Sequence, residues 1–420
     1  MKILEKVTPR VYGFFKRNPV LIKPAKVSLA LAENARACLH NRIHGDDRVV
    51  GPHSLCEDTG DWVRQFTSVE SAFSTSIEYI HDPEIYSRKI PGHIEKELYW
   101  KFAQNLKFDL PSTFVAQIPA ARVLDEGFVI SPDNQILGDV SAIITPKSSH
   151  HLAFTTGAVG PVQKFRGKVA VLATYAGRGY YHWMLDVLPR IELLTRASYD
   201  LDEIDKFIVN SYVTSYQIET LERLGIPREK LIQTQWTRHL WVELLILPSL
   251  SNVYGSVPKW SCDFINWSFL DTRDFEEAKS RKLYISRGSA SHRHISNERA
   301  LIDLLKSRGF EVVVLEKMTV ADQARLFRSA SIVVGPHGAG LTNLVFCEPH
   351  TKVVEIISPS AVNVLFWTIA SQSNLDYNYF FANGELPKTP SEERGLNSED
   401  LEVDLQKMKL MLDAIGCPAV

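Results

Sequence analysis

The sequence is poor in features that would assign it to a specialised class. Its 420 residues hold five cysteines, at 38, 56, 262, 347 and 417, with no C-x-x-C spacing among them. That excludes a thiolate zinc site or a dithiol redox motif and favours a reducing compartment. Charge of one sign is also missing: 47 Lys and Arg against 49 Asp and Glu leave a formal net charge of −2. No global field draws nucleic acid or anionic lipid to the chain, so a polyanion would have to be met by a local cluster. No window approaches the ~20 apolar residues of a membrane helix. The scattered basic residues of the first twenty positions do not form a signal peptide. A cytoplasmic chain with at most peripheral membrane contact is the expectation. Internal repeats and low-complexity tracts are absent, as are the G-x-G-x-x-G, Walker and G-x-S-x-G patterns. Nicotinamide, P-loop and serine-hydrolase chemistry lose their usual signatures with them.

What is present is an ordinary globular composition, 45% apolar and 23% charged, in a length that suggests two domains. Residues 1–100 mix basic and aromatic side chains around a short helical stretch at Lys26–Cys38, and read as an N-terminal extension of unclear role. From there the texture becomes an α/β alternation. Phe128–Ser141 predicts two strands around Ser131-Pro132-Asp133-Asn134. Lys168–Thr174, Lys206–Asn210 and Trp241–Leu247 predict strands separated by helices at Tyr180–Arg196 and before Gly225 and Pro227, in a first domain at 101–255. Residues 256–281 read as an interdomain linker, a connecting helix with no strand of its own. The rhythm returns in 282–383 with strands at 282–286, 311–315, 331–335 and 353–357 and helices at 297–308 and 319–329. Residues 384–420 predict a loop and an amphipathic helix, Ser398–Ile415, that returns to the first domain.

Three segments carry candidate chemistry. In Gly335-Pro336-His337-Gly338-Ala339-Gly340-Leu341-Thr342, a buried strand runs into glycines and then a helix. Such a turn lets a backbone approach a diphosphate, with His337 and Thr342 as extra donors; glycines serving packing alone are the structural alternative. In Leu283–Gly288, Ser286 and Arg287 end a strand, and Arg293 follows six residues after Arg287. Arginine forks suit phosphate oxygens, although a basic solvated loop would look the same. In Tyr180–Arg190, the stripe Tyr180, Met184, Val187, Ile191 and Leu194 faces the core and leaves His182 and Asp186 one turn apart on another face. That spacing fits a general base with its orienting partner, or a local ion pair. Pro189 should kink this helix by removing the bond to Leu185. Asp200-Leu201-Asp202 precedes a strand and reads as a solvated loop, so no metal site is expected. Glu316 and Glu355 close or follow strands, where a carboxylate can hold ribose hydroxyls or act as a structural cap.

Taken together, YYHWMLDVLPR, LYISR with Arg293 downstream, and VVGPHGAGLTNLVF followed by VVEI closely resemble glycosyltransferase family 61 over about residues 165–360. The resemblance implies a GT-B architecture of two Rossmann-like domains facing a cleft, and inverting transfer from a nucleotide-diphosphate sugar, a uridine one being expected, to a glycan or glycolipid hydroxyl. It implies no metal and no resident cofactor. Under it, Asp186 or His182 supplies the catalytic base. Ser286, Arg287, Arg293, His337, Gly338, Ala339, Gly340, Leu341, Thr342, Glu316 and Glu355 fall in the donor half. A bacterial-type capsular or surface polysaccharide is the expected product, and a non-catalytic nucleotide- or glycan-binding protein on the same scaffold is the alternative.

Overall fold

Short Val, Ile and Leu runs become interior strands where neighbouring helices can cover both faces. In the computed structural model, which describes residues 51–66, 73–141, 161–252, 255–271, 280–288, 293–387, 389, 392 and 399–419, they assemble into a ten-stranded sheet, a five-stranded sheet and a small hairpin pair. In the large sheet, Gln163–Val171 lies parallel to both His239–Pro248 and Lys206–Val209, and Lys206–Val209 lies parallel to Leu231–Gln233. The far side of His239–Pro248 is antiparallel, paired with Thr113–Pro119 and Arg122–Leu124. The large sheet is therefore mixed, where the alternation predicted a parallel one.

The expected boundary at residue 100 does not survive. Ser54–Cys56 pairs with Gln135–Leu137, and Ser76–His81 pairs with Thr113–Pro119, so residues numbered below 100 build the large sheet itself. Their short, polar-rich sequences gave no strand signal. The Lys26–Cys38 segment lies outside the described residues.

The second sheet is wholly parallel: Glu311–Val313, Arg281–Ile285, Ala330–Pro336, Lys352–Ile357, Asp376–Phe381 in spatial order. Numbered along the chain this is 2-1-3-4-5, a doubly wound order whose direction reverses between Arg281–Ile285 and Ala330–Pro336. In such sheets the reversal opens a crevice at the carboxyl ends of the two strands. The fifth strand and the helix before it, Leu365–Gln372, lie inside the expected 282–383 domain but were not individually legible.

Side chains alternate across this sheet. Tyr284, Ile332, Val334, Val354, Ile356 and Phe380 face the helices Glu298–Lys306 and Leu405–Ala414. The C-terminal helix thus packs on the second sheet rather than returning to the first. Lys352 Nζ also donates to Ile415 O at 2.6 Å, and Arg308 pairs with Asp413 at 2.5 Å.

Leu283, Val333 and Val353 face the other way, into a core continuous with Ala170, Phe207 and Leu244 of the large sheet. The expected connecting helix is present at Lys259–Phe269, and it lies in that core with Cys262, Ile265 and Phe269 buried rather than merely bridging two domains. At about 1.5–3 kcal/mol for each fully buried large apolar side chain, this layer holds the two sheets together. The four described cysteines are free thiols. No helix among the described residues is long and apolar enough to cross a membrane.

Candidate active site

The predicted helix at Tyr180–Arg196 is three pieces: an α-turn at Tyr180–His182, a π-helical turn at Trp183–Val187, and a helix at Pro189–Arg196. Pro189 has no N–H to bond Leu185 O, and Ser251 Oγ donates to that freed carbonyl at 2.7 Å instead. The amide just before the proline, Leu188 N, reaches back five residues to Trp183 O at 3.0 Å. The strain expected as a kink is taken up as a π-bulge, which recurs at functional sites.

His182 and Asp186 straddle the start of this bulge. His182 Nδ1 lies 2.6 Å from Asp186 Oδ2, with the His182 side chain 38% exposed and that of Asp186 11% exposed. Asp186 Oδ1 is buried and has no hydrogen-bond partner. Burial opposes the His182 charge, but the hydrogen bond from Asp186 and its negative field overcome it and raise the His182 pKa above the usual 6.5. A neutral ring donating from Nδ1 leaves Nε2 as an acceptor. Of the two candidate bases, His182 is the more exposed, and Asp186 is the more buried partner that holds its ring.

Across the core, the second sheet brings Arg287 and the glycine turn together at the point where its strand order reverses. Ser286, Arg287 and Gly288 follow Arg281–Ile285, and His337 and Gly338 follow Ala330–Pro336. A Cβ on Gly338 would lie 1.9 Å from Arg287 Nη1, so only glycine lets the guanidinium lie over this turn. Burial, and then repulsion from Arg293, lower the Arg287 pKa against the pull of Glu316. Arg293 holds its position with a left-handed backbone, φ 58°, and its buried Nε has no hydrogen-bond partner. Two cations converge here, an arrangement that an anion would stabilise.

The remaining candidates sort by burial. His337 Nδ1 lies 2.5 Å from Glu355 Oε1, and Tyr377 OH donates to Glu355 Oε2 at 2.5 Å. Glu355 is fully buried with both oxygens engaged, so it fixes His337 and does not hold a ribose. Ser286 Oγ donates to Glu298 Oε1 at 2.8 Å, which anchors the loop. The turn opens into a 3-10 helix, Ala339–Phe346, rather than an α-helix. Ala339 is exposed and Gly340 half-buried, whereas Leu341 and Thr342 are buried and shape the turn from beneath. Glu316 is exposed on a 3-10 turn, Leu315–Lys317.

The two clusters meet through aromatic rings. Phe366 packs edge-on to Tyr181 at 5.9 Å between centroids and lies 5.0 Å from His337, while Tyr181 in turn packs edge-on to His182 at 5.1 Å. Tyr180 OH donates to Asn343 Oδ1 at 2.7 Å, tying the first turn of one cluster to the 3-10 helix of the other.

Residues 180–354, which contain both clusters, match the model of Glycosyltransferase 61. Over that stretch the chain is similar to glycosyltransferase family 61. Among its relatives, a beta-1,2-xylosyltransferase of Arabidopsis thaliana is 40% identical over 65 residues, 16% of this chain and 12% of that protein. Beta-1,2-xylosyltransferase RCN11 of Oryza sativa subsp. japonica is 36% identical over 92 residues, 20% of this chain and 17% of its own. Alpha-1,3-arabinosyltransferase XAT3 of the same rice is 36% identical over 87 residues, 20% and 15% respectively. The chain thus spans only 12 to 17% of the length of these relatives.

Several supports of this candidate site were not identified from sequence. Arg190 is fully buried, with its guanidinium shared among the carbonyls of Val140, Val171, Ala173 and Ser249. Desolvation brings its pKa down to about 10 against the attraction of Asp186. It clamps strand ends and places positive charge behind the carboxylate. Its i+4 spacing from Asp186 was the available signal. Glu298, Tyr377 and Phe366 are supports that only the folded chain could reveal.

Proposed function

We propose that this chain is an inverting glycosyltransferase of family 61 that moves a sugar from a nucleotide-diphosphate donor, with uridine diphosphate the expected carrier, to a glycan hydroxyl. The observation that carries the reading is the pairing of two complementary sites across one core: a half-open His182–Asp186 couple, and a convergence of Arg287, Arg293 and His337 at the strand-order reversal of a parallel sheet. In the proposed reaction His182 Nε2 takes the proton of the acceptor hydroxyl. The oxygen then attacks the anomeric carbon from the face opposite the diphosphate, and the carbon–oxygen bond to the leaving group breaks with its electron pair passing to the diphosphate. One displacement inverts the configuration. Asp186 holds the ring and stabilises the imidazolium; Arg287 and Arg293 meet the charge that grows on the leaving phosphate.

We read the two sheets as the two Rossmann-like halves of a GT-B enzyme, with the large sheet on the acceptor side. The activities of similar proteins, xylosyl, arabinosyl and xylan glycosyl transfer, support a polysaccharide product for this chain too, whether a capsule, a surface glycan or another polymer. The reaction is proposed to need no metal, because the arginines supply the charge neutralisation. The test is sugar transfer or donor hydrolysis by the purified chain in excess chelator. Activity that disappears with chelator and returns with manganese removes the metal-free claim; no turnover with any nucleotide sugar removes the transferase.

A further inference from the structure

Eight large hydrophobic side chains are exposed among the described residues, and three of them, Tyr175, Val213 and Trp236 at 45, 62 and 62%, fall on three neighbouring loops. Those loops follow Gln163–Val171, Lys206–Val209 and Leu231–Gln233, which are parallel and in register, Val171 beside Ile208 and Val209 beside Gln233. Their carboxyl ends are therefore aligned along one edge of the large sheet. With strands about 4.8 Å apart, the first loop and the third are separated by roughly 10 Å. The first of these loops is also the one that leads into Tyr180–His182.

The loops are built to hold still. Asn210 is fully buried; its side chain accepts from Thr174 N at 3.1 Å and donates to Thr174 O at 2.7 Å, while its carbonyl accepts from Thr234 Oγ1 at 3.3 Å. Gln233 anchors the outer two, accepting at its side chain from Tyr212 N at 2.9 Å and at its carbonyl from Trp236 N at 3.0 Å. A Cβ on Gly177 would lie 2.2 Å from Asn210 Oδ1 and 2.9 Å from Val187 Cγ2, so this glycine registers the row against the π-turn. Large apolar side chains left in water on adjacent, anchored loops mark a recognition surface rather than scattered exposure. Pyranose rings present apolar C–H faces with hydroxyls at their rims, so rings such as these can cover one face of a sugar while water keeps the hydroxyls.

We propose that Tyr175, Val213 and Trp236 form an extended acceptor subsite, along which a glycan of several sugar units lies with its reacting end at His182. This rests on the transferase reading above. The commitment to a glycan follows from the continuity of the row with the His182 loop.

The test offers the purified full chain, with Tyr175→Ala and Trp236→Ala variants, to an array of xylan-derived and other neutral oligosaccharides of graded length in the presence of UDP. Melting temperature with and without UDP is measured in parallel. The expected result is retention that grows with oligosaccharide length and falls about tenfold in each variant, with the UDP-induced rise in melting temperature kept and with Trp236→Phe recovering most of the loss. Retention indifferent to both substitutions, or no retention while the UDP shift is intact, overturns the subsite alone. No UDP shift in the unsubstituted chain removes the transferase reading and the subsite with it. If a Val213→Ser, Trp236→Ala double variant dissociates a self-associated chain and leaves oligosaccharide retention unchanged, the row is a protein interface and the proposal fails.

Discussion

Among the described residues, the two shortest histidine–carboxylate pairs are nearly equal in length and lie in opposite environments. His182 and Asp186 are 2.6 Å apart at a half-open π-turn, and one oxygen of Asp186 has no partner. His337 and Glu355 are 2.5 Å apart in a sealed strand end, with the second oxygen of Glu355 taken by Tyr377. Distance alone would make them equivalent. Accessibility and spare hydrogen-bonding capacity separate them: the first is the pair proposed to exchange a proton with a substrate, while the second holds one ring in one orientation.

The largest expected effect tests the open pair. His182→Ala should lower kcat by about 10²- to 10⁴-fold, with nucleoside-diphosphate binding kept within about twofold. Single-turnover kinetics beside a thermal-shift titration would measure both, and retained turnover would end its role as base. Asp186→Asn should also lose most turnover, because the ring loses its orienting partner. Next comes Gly338→Ala, whose methyl must push Arg287 aside. Affinity for a nucleoside diphosphate should fall about tenfold while affinity for the nucleoside stays put, as calorimetry can check. Equal losses would place Arg287 away from the phosphates.

Stability sharpens the contrast. Glu355→Gln replaces one of two buried, engaged carboxylate oxygens with an NH2 group that cannot accept, and should cost about 1–3 kcal/mol in chemical denaturation, more than Asp186→Asn, whose carboxylate has an idle oxygen. The smallest effect is in pH. Because the folded His182 pKa is raised, the pair's contribution to stability is complete below the ordinary 6.5 and is lost as pH rises through the folded value. The acid limb of kcat/KM should accordingly lie above 6.5, and an NMR titration of the His182 ring should move down in Asp186→Asn. An unmoved titration would mean that Asp186 does not set the ring's basicity.

Much of the second sheet was legible because parallel strands covered on both faces read as short aliphatic runs, and Glu311–Val313 through Lys352–Ile357 show them. The 54–56 and 76–81 strands were not, since Ser54-Leu55-Cys56 owes its strand state to a partner 81 residues further along the chain, at Gln135. The C-terminal helix was legible as an amphipathic helix but not in its destination, because an apolar stripe says that it packs and not on what.

Sequence alone determined the local chemistry: the four-residue spacing of His182 and Asp186, the proline that forbids a regular helix after them, the glycine beside His337 and the arginines beyond a strand. These follow from covalent neighbours and helical period. Tertiary structure decided which of these groups can act. It turned the kink into a π-bulge by supplying Ser251 for an unpaired carbonyl, buried Glu355 and Thr342 away from any ligand, placed Arg190 behind Asp186, and brought Phe366 between residues more than 150 positions apart, Tyr181 and His337. Burial and the sharing of hydrogen bonds depend on contacts distant along the chain, and they decide whether a side chain reacts or supports.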